Sequence, residues 1–275
     1  MRQRAISAVI LVPVLLGVLV LGGPWLAAAI AIVTALAALE AFSLLRQAGW
    51  PSQRLIGLVV AVAIVLDAAV PTVLDGSGLL LAAIGIILAA VGAFSRPDPR
   101  DGFATWVGTV FGALYVALLS FVIRLGQAAP ALPADAPLAQ LGAERAWVLA
   151  LILLVWSYDT GAYLVGRQSG RHRFIVHISP AKTWEGLIGG LVVCTLAAAA
   201  LLAGLGQDLR LAFALGPLVG LAAQAGDLAE SLLKRAAGAK DSSQLIPGHG
   251  GILDRIDSFL FAAPAMTLFV LVAAS

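Results

Sequence analysis

The sequence predicts an all-α, polytopic membrane protein with about nine transmembrane helices, and three observations support this prediction. Of its 275 residues, 61% are hydrophobic and only 12% are charged, and the mean hydropathy is +1.00. Soluble domains do not have this balance. Several apolar runs reach the ~20 residues that a helix needs to cross a bilayer. These runs also lack the alternating pattern of a membrane β-barrel, which argues against strands as the spanning elements.

The nine predicted spans have approximate bounds of 5–23, 25–45, 55–74, 78–95, 103–125, 145–166, 183–204, 209–231 and 257–274. The opening M-R-Q-R resembles the start of a signal peptide, but the apolar run after it is too long, so we interpret it as a retained first helix. Placing the N-terminus in the cytoplasm puts fourteen of the 17 basic residues on the inner side. Basic residues prefer that side, so the C-terminus is predicted to lie outside.

Composition also limits the class of partner. The net charge of +2 is too small to indicate bulk affinity for nucleic acid. Cys194 is the single cysteine, so the chain cannot form an internal disulfide. Membrane lipids are therefore the surroundings that the sequence predicts, with no nucleic acid partner.

The first five spans contain few residues with reactive side chains, whereas the last 130 residues contain nearly all of them. We therefore predict an N-terminal transmembrane scaffold over 1–144 and a catalytic transmembrane half with cytoplasmic loops over 145–275.

Glu40 and Asp67 are isolated carboxylates in the scaffold. A charge at mid-bilayer costs about 2.5–3.5 kcal/mol on insertion scales, so each is expected to face a partner or the membrane edge in a structural role.

The sixth span carries an acidic residue within an apolar helix. Asp159, Tyr163 and Gly166 lie at i, i+4 and i+7, on one face. Asp159 lies about 10 Å below the inner end of that helix, at ~1.5 Å per residue. It could pair across a helix contact or line a polar cavity open to the cytoplasm, and we favour the cavity.

The inner loop before the seventh span suggests an anion site. Ser179 followed by Pro180 is a good N-cap and first-turn pair, so the seventh helix is predicted to start there. Its free N–H groups and positive dipole end would then face the cytoplasm, with Lys182 beside them. Arg167, Arg171 and Arg173 in the same loop are explained as well by topology and anionic head groups.

The inner end of the eighth span carries a polar stripe. Gln224, Asp227, Ser231 and Lys234 lie at i, i+3, i+7 and i+10 of an otherwise apolar helix. A solvated helix end explains Lys234 as well as a functional role does. It explains Asp227 less well, because Asp227 lies deeper in the span.

The stretch from Ser231 to Ser258 concentrates the remaining chemistry. It combines carboxylates, cations and a histidine with a cluster of glycines near its end: Lys234, Arg235, Lys240, Asp241, Gly248, His249, Gly250, Gly251, Asp254, Arg255 and Asp257. This mixture suits a metal-bound polyphosphate, because Lys and Arg bind phosphate oxygens and Asp binds a hard cation such as Mg²⁺. Glycine lets the backbone approach a ligand closely.

Two of these carboxylates, Asp254 and Asp257, open the ninth helix, where capping alone would explain one of them. Asp227 and Asp254, from different helix ends, are predicted to bind one or two Mg²⁺ ions together with substrate phosphate. His249 could donate to a phosphate, shuttle a proton or fix the backbone through a hydrogen bond.

These spacings resemble a known family. The run S-x-x-K-R-x-x-x-x-K-D-x-S-x-x-I-P-x-H-G-G-I-x-D-R-I-D, from Ser231 to Asp257, resembles the signature of the phosphatidate cytidylyltransferases, also called CDP-diacylglycerol synthases. S-P-x-K-T-W-E-G, from Ser179, and D-x-x-A-Y-x-x-G, from Asp159, are similar to further family motifs. Ala181 stands where the family often has another lysine.

The resemblance implies an enzyme that converts CTP and phosphatidic acid to CDP-diacylglycerol and pyrophosphate in phospholipid synthesis, at the cell (inner) membrane with its active site facing the cytoplasm. It also implies a homodimer and aspartates that hold the divalent metal. We expect Asp227, Asp254, Lys240, Asp241 and His249 to act in catalysis. Substrate contacts are expected from Ser179, Lys182, Ser231, Lys234, Arg235, Gly248, Gly250, Gly251, Arg255, Asp159 and Asp257.

Two other classes of function share part of this pattern. A CTP-dependent polyprenol or dolichol kinase, or another CDP-lipid synthase, would share the broad chemistry, although the complete signature argues against the kinase. An ion-coupled transporter would use Asp159 and Asp227 within the membrane. It predicts inverted repeats and mid-membrane carboxylates, whereas the sequence shows no repeat and its charges cluster at the inner edge.

Overall fold

The structure is a computed structural model that describes residues 2–70, 78–246, 248 and 250–273. Every regular element among them is helical, which confirms the predicted all-α class. The helices are α1 (Arg2–Leu21), α2 (Gly23–Gln47), α3 (Arg54–Ala69), α4 (Gly78–Ala93), α5 (Pro99–Ala117), α6 (Phe121–Ala128), α7 (Ala143–Ser169), α8 (Trp184–Gly204), α9 (Ala212–Ala236) and α10 (Leu253–Ala273).

Six helical segments in the described residues are long and apolar enough to cross a membrane, which confirms a multi-pass membrane protein. They are Gly23–Gln47, Pro99–Ala128, Ala143–Ser169, Trp184–Gly204, Leu209–Ala236 and Leu253–Val272. The helices α3 and α4 have 16 residues each, about 24 Å of helix against a hydrocarbon core of ~30 Å. The described apolar part of α1 is Val12–Leu21. The count of about nine spans therefore stays a prediction.

The start of α8 corrects one sequence prediction. This helix begins at Trp184, where the side chain of Thr183 accepts a hydrogen bond from the N–H of Gly186. The predicted start at Ser179 and Pro180 is wrong, because the preceding segment forms other backbone bonds. Arg173 pairs with Thr183 in an antiparallel bridge, and the N–H of Ser179 donates to the carbonyl of Ile175 over 3.0 Å. Lys182 therefore lies before the helix rather than in its first turn.

The chain divides into two compact units. Unit 1 comprises Met1–Ile123 and Leu232–Ile256, and unit 2 comprises Arg124–Ser231 and Asp257–Ser275. The stretch that is richest in charge thus belongs mostly to the unit of the first helices. This division does not test function, and the predicted split into a scaffold (1–144) and a catalytic half (145–275) stays a prediction.

Unit 1 is built around a buried aromatic side chain on α2. Phe42 is fully buried, and so are Ala41, next to it in the sequence, and Ala38, one helical turn earlier. Side-chain atoms at Gly57 on α3 or Gly112 on α5 would run into its ring. Glycine at these two positions therefore lets α3 and α5 approach α2 closely.

Unit 2 depends on close packing of α7 against α8. An added Cβ at Gly190 would lie 2.8 Å from the ring of the buried Tyr158, and one at Gly189 would lie 2.5 Å from Val165. The small face of α8 thus accepts the large side chains of α7.

Candidate functional site

The site residues of unit 2 centre on an ion pair. The ammonium of Lys182, which precedes α8, pairs with Oδ2 of Asp227 on α9. The two side chains are 24% and 27% exposed, so this pair is reachable by solvent. The hydroxyl of Ser231, one turn further along α9, donates to Oδ1 of Asp227 over 3.3 Å. Three residues that the sequence predicted as site residues therefore lie together.

A buried hydrogen bond lies behind this pair. The Tyr158 hydroxyl donates to Oε1 of Gln224 over 2.8 Å, and Lys182 Nζ lies 3.4 Å from the same oxygen. Tyr158 is completely buried and Gln224 nearly so. Gln224 was predicted as part of the polar stripe, but the partner on α7 was missed, because nothing in the sequence relates Tyr158 to α9.

The backbone of unit 2 is tight next to Asp227. A Cβ at Gly226 would collide with the carbonyl oxygen of Asp257 and lie 3.2 Å from the Cα of Ser258. The start of the unit 2 portion of α10 therefore touches α9 at the residue before Asp227. Asp257 itself accepts from the N–H of Ser258 over 2.7 Å.

The site residues of unit 1 centre on a second ion pair. Lys234 Nζ donates to Oδ1 of Asp254 over 2.6 Å, and the two side chains are only 12% and 6% exposed. Oδ2 of the same carboxylate accepts from the N–H of Gly251 (2.8 Å), the N–H of Ser242 (2.9 Å) and the Ser242 hydroxyl (2.8 Å). Ser242 and Gly251, which lie before and after the glycines at 248 and 250, therefore both bind Asp254.

The glycines of this loop have distinct roles. Gly248 and Gly250 have φ of 78° and 80°, a backbone region that residues with a side chain rarely adopt. Gly250 also pairs with Ile246 in an antiparallel bridge. A Cβ at Gly251 would collide with the Ser242 hydroxyl and lie 2.6 Å from Oε1 of Glu40. The predicted role of the glycines in nucleotide binding is not tested by these contacts.

Glu40 is the residue of unit 1 that sequence analysis did not assign to the site. Its buried carboxylate accepts hydrogen bonds from both ends of the same loop: Ser242, Ser243, Ile252 and Leu253. The expectation that Glu40 faces a partner is confirmed. Its partners, about 200 residues further along the chain, could not be read from the local sequence.

The remaining predicted residues lie in more open positions. Lys240, Asp241, Arg235 and Arg255 are exposed in unit 1, and Arg235 donates to the carbonyl of Ala239 over 3.1 Å. In unit 2, Asp159 is exposed on α7 and Ser179 is half-buried in the loop before α8. His249 lies outside the described residues.

Comparison with known proteins gives a consistent result. The sequence model of the cytidylyltransferase family matches residues 2–273. A phosphatidate cytidylyltransferase of Synechocystis is 35% identical over 98% of this chain and 96% of its own length. The chloroplastic phosphatidate cytidylyltransferase 4 of Arabidopsis thaliana is 36% identical over 92% of this chain and 69% of its own. A phosphatidate cytidylyltransferase of Staphylococcus aureus is 43% identical over 46% of the chain and 49% of its own.

Proposed function

The chain belongs to the cytidylyltransferase family, and from this premise we propose that it is a phosphatidate cytidylyltransferase. It is a nucleotidyltransferase of phospholipid synthesis that converts CTP and phosphatidate to CDP-diacylglycerol and pyrophosphate. The observation that carries this conclusion is the alignment with the Synechocystis enzyme, which spans 98% of this chain. The multi-pass helical fold agrees with a lipid substrate that keeps its acyl tails in the bilayer.

The reaction makes few demands on acid–base chemistry. A phosphate oxygen of phosphatidate attacks the α-phosphorus of CTP. The bond between that phosphorus and the oxygen that bridges it to the β-phosphorus breaks, and pyrophosphate leaves. The attacking group is a phosphate monoester, whose second pKa is about 6, so it is already anionic at neutral pH. Catalysis therefore rests on alignment of the two phosphates and on neutralisation of the departing charge.

Carboxylates in both units fit a divalent metal by their chemistry. Asp227 and Asp254 present oxygen ligands, the type that Mg²⁺ prefers, and Mg²⁺ is commonly held by one or two carboxylates plus substrate phosphates. Each has an oxygen facing a lysine ammonium, a position that already favours a cation. We propose these two aspartates as the metal ligands. One or two bound Mg²⁺ ions would neutralise charge on the phosphates.

Cations on both units are proposed to bind the phosphates. Lys182 and Lys234 are already held beside carboxylates, and the exposed Arg235, Lys240 and Arg255 are accessible to a ligand. The loop with Gly248, Gly250 and Gly251 would let the triphosphate approach the backbone, and Ser179 and Ser231 would contact the substrates. Asp159, Asp241 and Asp257 would orient the cations or a second metal. His249 would donate to a phosphate or shuttle a proton.

The proposed topology has about nine crossings, a cytoplasmic N-terminus, an external C-terminus and an active site facing the cytoplasm at the cell (inner) membrane. The distribution of basic residues supports it. To test it, Cys194 is replaced by alanine and single cysteines are placed at 130 and 245. An impermeant thiol reagent should label the two from opposite sides. Labelling from the same side would refute the number of crossings.

The activity is tested with purified wild-type protein in detergent–lipid micelles. Each nucleoside triphosphate is supplied with Mg²⁺ and phosphatidate, and pyrophosphate release is followed. We expect release with CTP and phosphatidate together, and the lipid product is identified by mass. A CTP-dependent kinase would instead convert a polyprenol to its phosphate and release CDP, so CDP formation with a polyprenol in place of phosphatidate would contradict the proposal. The mass of the purified particle tests the proposed homodimer in the same preparation.

A further inference from the structure

The carboxylate of Glu40, on α2, binds both ends of the loop that carries Gly248, Gly250 and Gly251, which we call the glycine loop. It is 8% exposed. It accepts from the hydroxyls of Ser242 (2.9 Å) and Ser243 (2.5 Å), and from the N–H groups of Ile252 (3.1 Å) and Leu253 (2.8 Å). The first two donors precede the glycines and the last two follow them. A single side chain from another helix thus binds both ends of the loop.

These donors are all uncharged, so none of them neutralises the negative charge of the carboxylate. Burying that charge is costly unless its hydrogen bonds are strong. Two of them are backbone N–H groups at the start of α10, which have no partner within their own helix. A negative charge at this end also interacts favourably with the helix dipole. Glu40 therefore caps α10 from another helix.

The same contacts reach Asp254. The hydroxyl of Ser242 lies 2.9 Å from Oε2 of Glu40 and 2.8 Å from Oδ2 of Asp254. A hydroxyl has one hydrogen to donate, so it serves one carboxylate at a time. Leu253, which Glu40 binds through its N–H, directly precedes Asp254. Glu40 thus restrains both the backbone beside Asp254 and a side chain that contacts it.

From this geometry we infer that Glu40 is a positioning residue for cytidylyl transfer, which fixes the segments 242–243 and 252–253 and with them the direction of the Asp254 carboxylate. The inference rests on the proposed function. Glu40 acts through Ser242 and the start of α10 rather than on the substrates, so its loss should lower turnover more than substrate binding.

A purely structural role makes a different prediction. If Glu40 only stabilised unit 1, its replacement would reduce the amount of folded protein, and each folded molecule would keep its turnover. If Glu40 positions Asp254, folded protein would bind CTP and turn it over slowly. The ratio of the changes in kcat and KM, measured on folded protein, therefore distinguishes the two roles.

The first variant is Glu40→Gln, which keeps the size of the side chain but replaces one acceptor oxygen with a donor. Its NH₂ group must then face the N–H of either Ile252 or Leu253, which bind opposite oxygens of Glu40. We expect kcat to fall by about 100-fold, as for a misplaced catalytic group. The KM for CTP should stay within about threefold of wild type. The melting temperature should fall by several degrees, because a buried donor left without an acceptor costs about 1–3 kcal/mol, so kcat is measured on the folded protein.

The matched control is Asp67→Asn. Asp67 is a buried acid of the same unit, on α3 and 6% exposed, and it has no assigned role in the reaction. Its replacement should leave kcat unchanged. A kcat of Glu40→Gln within about twofold of wild type, or equal losses in the two variants, would overturn the inference.

A second variant decides the matter if Glu40→Gln does not fold. Ser243→Ala removes a hydroxyl that binds Glu40 and leaves the donors of Asp254 in place. We expect an approximately tenfold lower kcat with an unchanged KM for CTP, since a hydrogen bond to a charged group contributes on the order of tenfold. An unchanged kcat in a folded Ser243→Ala protein would overturn the inference. If the wild-type protein releases no pyrophosphate, the proposed function itself has failed.

Discussion

Two lysine–aspartate pairs, one in each unit, use the same chemistry in different surroundings. In unit 2, Lys182 and Asp227 are about one-quarter exposed, and the aspartate is bound by the side chains of Lys182 and Ser231. In unit 1, Lys234 and Asp254 are largely buried, and two backbone N–H groups also bind the aspartate. The unit 1 carboxylate is therefore fixed in direction, whereas the unit 2 carboxylate can follow side-chain rotation.

This difference suggests a division of labour between the two proposed metal ligands. A carboxylate with three donors on one oxygen presents its other oxygen in one direction. A carboxylate bound by flexible side chains can adjust as the nucleotide and lipid arrive. We expect Asp254 to tolerate less change than Asp227, and the following predictions test that expectation.

The largest effect is expected for Asp254→Asn. The amide lacks the negative charge that a metal ion requires, and its NH₂ group would oppose donors that the carboxylate now accepts. The kcat should fall by about 1,000-fold or more, with the protein still folded and membrane-inserted. Pyrophosphate release measures turnover, and the melting temperature in detergent serves as the control. Near-normal turnover would remove the metal role from Asp254.

Removal of each lysine compares the pairs by stability. Lys234→Met leaves the buried Asp254 carboxylate without its cation, so we expect a loss of about 3 kcal/mol in the free energy of unfolding. Lys182→Met leaves a carboxylate that water reaches, and the loss should be about 1 kcal/mol or less. Unfolding by SDS in mixed micelles gives both values. Equal losses in the free energy of unfolding would show that the difference in burial does not affect how much the two pairs stabilise the protein.

Lengthening each carboxylate by one methylene tests the freedom of movement directly. Asp254→Glu cannot keep all its donors, because two are fixed backbone groups, and kcat should fall by about 30-fold. Asp227→Glu should cost only about threefold, since Lys182 and Ser231 can follow it. The same pyrophosphate assay compares the two variants at saturating CTP. A reversed order would contradict the proposed division of labour.

The smallest difference is expected from the two serines. Ser242→Ala removes a hydroxyl that contacts both Asp254 and Glu40, and kcat should fall by about tenfold. Ser231→Ala removes a single 3.3 Å contact to Asp227, which is long for an O–H donor. That change should cost about twofold in kcat. Steady-state kinetics on both proteins, with melting temperatures as controls, would show no difference if the two aspartates were held alike.

The sequence was sufficient to identify the membrane class and the residues of both pairs. Hydropathy predicted the helices because a bilayer requires long apolar runs. The signature and the stripe on the eighth span selected Asp227, Lys234 and Asp254, and the S-P-x-K-T-W-E-G motif in the loop before the seventh span selected Lys182. Which lysine binds which aspartate was left open, because pairing between helices depends on tertiary packing and not on spacing along the chain.

Two features could not be found from local patterns. Ser179 and Pro180 carry a sound helix-start signal, but an antiparallel bridge between Arg173 and Thr183 uses the backbone there, and Thr183 caps α8 instead. Glu40 was interpreted as a structural acid because no neighbour in the sequence suggested otherwise. Its partners lie 202 to 213 positions away.

That separation has a consequence for biosynthesis. Ribosomes add about 5–20 residues per second, so the acid on α2 is made roughly 10–40 s before the start of α10 that will bind it. During this interval Glu40 must lie at the membrane edge, where water reaches it, or be bound to another group. The final closure of unit 1 is thereby postponed until nearly the whole polypeptide has been translated.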